Sequence, residues 1–143
     1  GKAIEYEYVA DFLRGLFDAH DVVKIAFDRA LFAHLRPWLV KAGFTEEELE
    51  KFEPYGQGTL SMTPALRELE VRLMNGQLRH GNHPVLTMCS ANAVVVGDSG
   101  ARKFDKKKAR GRIDGMVALA MAVGVMPTTD ESNHETLFYD LNQ

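Results

Sequence analysis

Between Tyr6 and Ala19 the apolar residues Val9, Phe12, Leu13, Leu16 and Phe17 recur at helical spacing, with Asp11, Arg14 and Asp18 on the other side. That period predicts an amphipathic helix. The pattern changes at Val22-Val23-Lys24-Ile25-Ala26-Phe27, a mostly apolar, β-branched run that predicts a buried strand ending at Asp28. From Arg29 the helical period returns through Leu31, Phe32, Leu35, Trp38 and Leu39, with Pro37 expected to kink or restart the helix and Gly43 to stop it. A charged helical turn (Glu46 to Glu50), a second short strand (Lys51 to Tyr55) and the loop Gly56-Gln57-Gly58 follow. Helices and strands alternating in this way predict an α/β layer with parallel strands.

Ser61-Met62-Thr63-Pro64 reads as a helix start with proline in the first turn, and Leu66, Leu69, Val71, Leu73 and Met74 carry the helix to a stop at Asn75-Gly76. Pro84 to Ala91 is read as a further helix. Ala93 to Phe104 is read as a hairpin turning at Asp98-Ser99-Gly100, and Arg112 to Val125 as the closing helix. Residues 1–126 therefore form the folded part. The tail 127–143 is polar and is expected to be flexible, with Leu137-Phe138-Tyr139 as its one apolar patch.

With 143 residues, 45% of them hydrophobic, the chain suits a single domain with one real core. Its formal charge of -3 conceals an asymmetry. Arg102, Lys103, Lys106, Lys107, Lys108, Arg110 and Arg112 stand against Asp105 alone, so this stretch carries +6 and the remainder -9. Such a chain suits gripping a polyanion at one place rather than coating it over the whole surface; the plainer alternative is a solvated loop. Cys89 is the lone cysteine, which excludes an internal disulfide and a CxxC zinc site and points to a reducing compartment. The sequence has no membrane-length apolar run and no signal-peptide pattern, so a soluble, cytoplasmic protein is expected.

Two acids are the candidates for chemistry. Asp28 follows a strand, and ligands of open α/β sheets sit beyond the carboxyl ends of the strands. Asp114 opens a helix that is apolar nearly all round, directly after the basic stretch. A hard divalent cation shared by the two would partner both carboxylates, while the neighbouring cations hold a phosphate. Each acid also has a local explanation, since both stand where helix capping or the helix dipole favours a carboxylate. His80, His83 and Cys89 allow a metal site on paper but lack any further ligand at zinc spacing. There is no GxxxxGK[ST] phosphate loop, and neither Ser61 nor Ser90 has the neighbours of a catalytic triad.

The ordered set of short motifs resembles the C-terminal nuclease region of the large terminase subunit of tailed bacteriophages and prophages. The matching pieces are Ile4-Glu5-Tyr6-Glu7-Tyr8-Val9, Ile25-Ala26-Phe27-Asp28-Arg29, Gly56-Gln57-Gly58 with Leu60-Ser61-Met62, and Gly76-Gln77-Leu78-Arg79-His80. They continue through Pro84-Val85-Leu86, Asn92-Ala93-Val94, and Lys106-Lys107-Lys108 leading to Gly111-Arg112-Ile113-Asp114-Gly115, with Ala118-Leu119-Ala120-Met121-Ala122 after it. The resemblance implies a partial ribonuclease H-like α/β fold, a small mixed sheet flanked by helices. It also implies a metal-dependent endonuclease that cuts concatemeric phage DNA during packaging, with Asp28 and Asp114 as catalytic and metal-binding residues. Two Mg²⁺ or Mn²⁺ ions would serve in-line displacement at the phosphodiester.

The same resemblance implies double-stranded DNA as partner, held through Lys103, Lys106, Lys107, Lys108, Arg110 and Arg112. It further implies the small terminase subunit and the portal as partners and the cytoplasm of a bacterial host as the place of action. The family's first carboxylate lies on a strand ahead of the first helix, so the chain is expected to be a fragment with little or no cutting activity, prone to self-association through an exposed sheet edge. Two other readings remain at this point: a noncatalytic DNA-docking or packaging-complex module, and a different ribonuclease H-like enzyme such as a resolvase or transposase.

Overall fold

The computed structural model describes residues 5–30, 32–98 and 100–127. Leu31, Ser99 and the predicted flexible tail from 128 onward, with Leu137-Phe138-Tyr139, lie outside the described residues. The chain order is α1 (Tyr6–Ala19), β1 (Ile25–Phe27), α2 (Phe32–Lys41), α3 (Glu46–Glu50), β2 (Phe52–Pro54), α4 (Thr59–Met74), α5 (Pro84–Asn92), β3 (Val95–Val96), β4 (Lys103–Phe104) and α6 (Asp114–Gly124). β1 pairs with β2 in parallel, Ile25 opposite Phe52 and Phe27 opposite Pro54, and β3 pairs with β4 in antiparallel fashion. The α/β expectation holds, with the strands divided between two small two-stranded sheets rather than gathered in one mixed sheet.

The parallel pair separates two cores. On one face Ile25, Phe27 and Phe52 join Ala10, Phe17, Phe32, Leu39, Phe44 and Leu49 from α1, α2, α3 and the turn before α3. Aromatic rings dominate there: Phe17 meets Phe44 edge-on with centroids 5.0 Å apart, and Phe27 stacks on Phe32 at 3.9 Å. On the other face Ala26 and Tyr55 pack against Met62, Leu66 and Leu69 of α4 and Val117, Ala120 and Met121 of α6. Alternation along β1 sends successive side chains to opposite layers, so both faces of a short strand are covered.

Several boundaries differ from the sequence pattern for identifiable reasons. β1 starts at Ile25 rather than Val22, because its partner strand is three residues long and the ladder ends where β2 does. α2 starts at Phe32, after a turn in which the Ala30 amide donates to Asp28 Oδ1 (3.1 Å). It runs through Pro37 without a restart. α4 begins at Thr59, which puts Pro64 inside the helix instead of in its first turn. The carbonyl left without an amide donor belongs to Leu60, a residue 92% exposed, so water can satisfy it. The helix predicted from Arg112 opens at Asp114, with buried Ile113 as its N-cap residue.

Candidate functional site

Asp28 stands at the C-terminal end of β1 and is exposed. Its Oδ1 accepts from the Ala30 amide, and its Oδ2 accepts from Gln57 Nε2 at 2.8 Å. Gln57 sits in the loop after β2; because β2 is the parallel neighbour of β1, that loop necessarily emerges beside the same strand end. The sequence marks Gly56-Gln57-Gly58 as a motif but assigns Gln57 no role, although parallel pairing of the two strands is the signal that places it there. A bare N-cap for the next helix is not what Asp28 provides: it closes the turn at 28–30 and takes the Gln57 amide besides.

Asp114 is the first residue of α6, and no side chain caps that helix. Asp114 stands at the open start of that apolar helix. Its side chain is 75% exposed, with Arg112 Nη1 3.9 Å away, because the first helical residue projects from the turn while Ile113, Val117 and Ala120 carry the packing. Position in the first turn still favours its negative charge. α6 itself packs on β1 through Ala26, so the two acids belong to adjoining elements. A Cβ on Gly115 would meet Cys89 Sγ at 3.3 Å, which shows how closely the start of α6 approaches α5.

The basic stretch is two kinds of residue. Arg102 is structural: its backbone amide donates to Thr63 Oγ1 (2.8 Å) and its guanidinium grips both oxygens of Glu70 on α4. That hydrogen-bonded pairing holds the Glu70 carboxyl below the usual carboxylate range. Beyond it the chain turns outward. Asp105 Oδ1 accepts from the amides of Lys107 (2.9 Å) and Lys108 (3.2 Å), fixing a turn that displays Lys106, Lys107 and Lys108. The segment is then tied down again by Asn92, whose Nδ2 donates to the Arg112 carbonyl (3.2 Å) and whose carbonyl accepts from the Arg110 amide (3.4 Å). Lys103, Lys106, Lys107, Lys108 and Arg110 form no ion pair among the described residues, and Arg112 is 86% exposed. These bonds hold the backbone of the stretch, while the side chains of Lys103, Lys106, Lys107, Lys108 and Arg110 reach solvent.

The His80, His83 and Cys89 combination does not assemble. His83 Nδ1 accepts from the Val85 amide and caps α5, His80 Nδ1 accepts from the Asn82 amide, and Cys89 is buried. Among the described residues no group of three or more His, Cys, Asp or Glu side chains is placed to hold a metal ion, and no helix is long and apolar enough to cross a membrane.

Comparison with known proteins places this architecture. Residues 4–130 match the family model described as the terminase large subunit, endonuclease domain. The large terminase subunit of Enterobacteria phage HK97 is 44% identical over 125 residues, which is 87% of this chain and 24% of that protein. Protein YmfN of Escherichia coli strain K12 is 37% identical over 71 residues, 48% of this chain and 16% of that protein. The crystal structure of the HK97 large terminase superposes with a TM-score of 0.78 at 42% identity, over 88% of this chain and 26% of that chain. The chain thus spans about a quarter of the HK97 protein's length. A resolvase or transposase origin gives way to this match, and the chain belongs to the endonuclease-domain family of terminase large subunits.

Proposed function

We propose that this chain is the part of a ribonuclease H-like, metal-dependent DNA endonuclease that carries two of its acidic ligands and its grip on the DNA backbone. In this reading Asp28 and Asp114 are the metal-binding and catalytic residues, acting on concatemeric phage DNA during packaging. The observation that carries it is the family match across residues 4–130 combined with two exposed carboxylates on adjoining elements, one at a strand end and one at a helix start.

The donor chemistry fits a hard cation. Mg²⁺ keeps several waters and is commonly held by one or two carboxylates, which is what Asp28 and Asp114 offer. Gln57 and the Ala30 amide fix the Asp28 carboxylate while leaving it open to solvent. A bound Mg²⁺ or Mn²⁺ would polarise the phosphodiester and stabilise the leaving oxygen, and a pair of such ions would complete a two-metal centre. Lys103, Lys106, Lys107, Lys108, Arg110 and Arg112 would position the duplex by its phosphates without reading sequence. In the cell this work takes place in the bacterial cytoplasm, beside the small terminase subunit and the portal.

Calorimetric titration of Mn²⁺ into the wild type, Asp28→Asn and Asp114→Asn tests the site. Weak binding by the wild type and a loss of at least about tenfold in each variant is expected, since each variant removes a charged ligand. Equal binding by all three would refute the assignment. The absence of any three-ligand cluster among the described residues favours one second reading, a noncatalytic DNA-docking module. Salt-dependent DNA binding without any metal binding is its signature.

A further inference from the structure

The carboxylates of this fold are held in two ways. Glu48 and Glu70 are each gripped at both oxygens by an arginine, Arg14 and Arg102, so their charge is neutralised within the protein. Asp28 is also held at both oxygens, but by neutral donors: the Ala30 amide at Oδ1 (3.1 Å) and the Gln57 side-chain amide at Oδ2 (2.8 Å). Its negative charge stays whole. Gln57 is in turn pinned from either side, because the Tyr55 amide before it donates to the Phe27 carbonyl (2.8 Å) and Gly58 after it opens α4, its carbonyl accepting from the Met62 amide (2.9 Å). The Tyr55 hydroxyl closes the loop further by donating to the Ser61 carbonyl (2.9 Å), and Gly56 passes so near that a Cβ there would stand 2.9 Å from Ser61 Oγ.

We infer that Gln57 is a positioning residue that decides which cation Asp28 accepts, favouring a small octahedral ion, Mg²⁺, over Ca²⁺. The inference rests on Asp28 being a cation ligand, as proposed above. A carboxylate oxygen accepts at two lone pairs, so after the Ala30 and Gln57 bonds one remains on each oxygen of Asp28. A donor on each oxygen, one from two residues along the chain and one from across the loop, also stops the group from rotating about its Cβ–Cγ bond. Mg²⁺ needs an oxygen in a fixed place, at about 2.0–2.1 Å in near-ideal octahedral geometry, and keeps several of its waters. Ca²⁺ gathers about 6–8 oxygens at about 2.3–2.6 Å in looser geometry and takes both oxygens of one carboxylate readily, which requires that group to turn toward the ion. A locked carboxylate suits the first ion, and a swivelling one suits the second. Glutamine fits the role because its amide reaches Asp28 across the loop and brings no charge; an arginine there would neutralise Asp28 as Arg102 neutralises Glu70.

The test is an NMR titration of the full chain with Mg²⁺ and, separately, with Ca²⁺ at constant ionic strength, following the backbone amides of residues 28–30 and the Gln57 side-chain amide. In the wild type both ions should move these signals. Gln57→Ala should weaken Mg²⁺ by about tenfold, the size of effect usual for a hydrogen-bond partner behind a metal ligand, and Ca²⁺ by no more than about threefold. Gln57→Asn, one methylene too short to reach, should behave as Gln57→Ala. Gln57→Glu should bind Ca²⁺ more tightly than the wild type, because it exchanges the lock for a second carboxylate, and a misfolded loop could not produce that gain. The metal-free melting temperatures of all three variants should match the wild type. Equal loss of both ions in Gln57→Ala, or loss of neither, overturns the role of Gln57 and leaves Asp28 as a ligand. Shifts that persist in Asp28→Asn, or that never appear at residues 28–30 in the wild type, overturn instead the reading of Asp28 as a ligand, and the role of Gln57 with it.

Discussion

The two sides of the β1–β2 sheet use charge in opposite ways. On the aromatic side Arg14 donates through both terminal nitrogens to Glu48 (2.8 Å each) and lies over the Phe44 ring at 4.6 Å. Glu48 also closes the capping box of α3, accepting from the Thr45 amide at 2.9 Å. Its carboxyl is held down to about 2, first by the Arg14 hydrogen bonds and then by that amide. Charge there fastens α1 to α3 over an aromatic core. On the other side, packing is aliphatic and methionine-rich, one ion pair (Arg102 with Glu70) anchors the base of the basic stretch, and the lysines beyond it have no acidic partner among the described residues. A charge that is paired and half-buried holds the fold; a charge displayed on an anchored turn is available to a ligand. This contrast separates Arg102 from Lys106, Lys107 and Lys108, which the sequence presents as one run.

The strongest way to break the contrast is to weaken the aromatic side. Leu39 is fully buried in it, and Leu39→Ala should cost about 2–5 kcal/mol by chemical denaturation. Since β1 belongs to both cores, the substitution should lower one shared transition. Retained hydrogen-exchange protection in α4 and α6 after α1 and α2 have opened would show instead that the two sides fold separately.

Acid should sharpen it next. A carboxyl whose folded-state value lies near 2, against an ordinary 4.5, contributes stability that is complete above about 4.5 and is lost as pH falls toward 2. The wild type should therefore lose more stability across that interval than Glu48→Gln, which has no such proton to take up. Parallel curves for the two proteins would mean that the Arg14–Glu48 pair does not couple folding to pH.

Much of this was legible in the chain because it is local. The 3.6-residue period of Tyr6 to Ala19, the apolar run before Asp28 and the Asn75-Gly76 stop each encode their element without help from elsewhere. The misjudged positions depend on partners distant in sequence. Val22 and Val23 have strand character, but the length of β2 decides where the ladder ends. Thr59 and Leu60 join α4 although Pro64 suggested a later start, since nothing local reveals that Leu60, whose carbonyl has no amide donor at Pro64, lies exposed. At the candidate site the acids and the lysines were visible as residue types. That Gln57 holds Asp28, that Asn92 and Thr63 pin the basic segment, and that Asp114 points into solvent all depend on how strands and helices meet.

The smallest effect on the fold should come from the displayed cations. The side chains of Lys106, Lys107 and Lys108 form no ion pair among the described residues, and the turn that carries them is held by the Asp105 carboxylate through backbone amides, which survive truncation of the side chains. Replacing all three by Ala should leave the stability within about 0.5 kcal/mol of the wild type. The slope of log DNA affinity against log salt should nonetheless flatten by up to about 0.9 for every phosphate that no longer meets a cation. Arg102→Ala should do the reverse: it strips Glu70 of its partner and loosens the base of the segment, so it lowers stability before it alters the slope. If the triple change destabilises the fold and leaves the slope untouched, the lysines serve the structure as Arg102 does, and the division between paired and displayed charge fails at the place where it matters most.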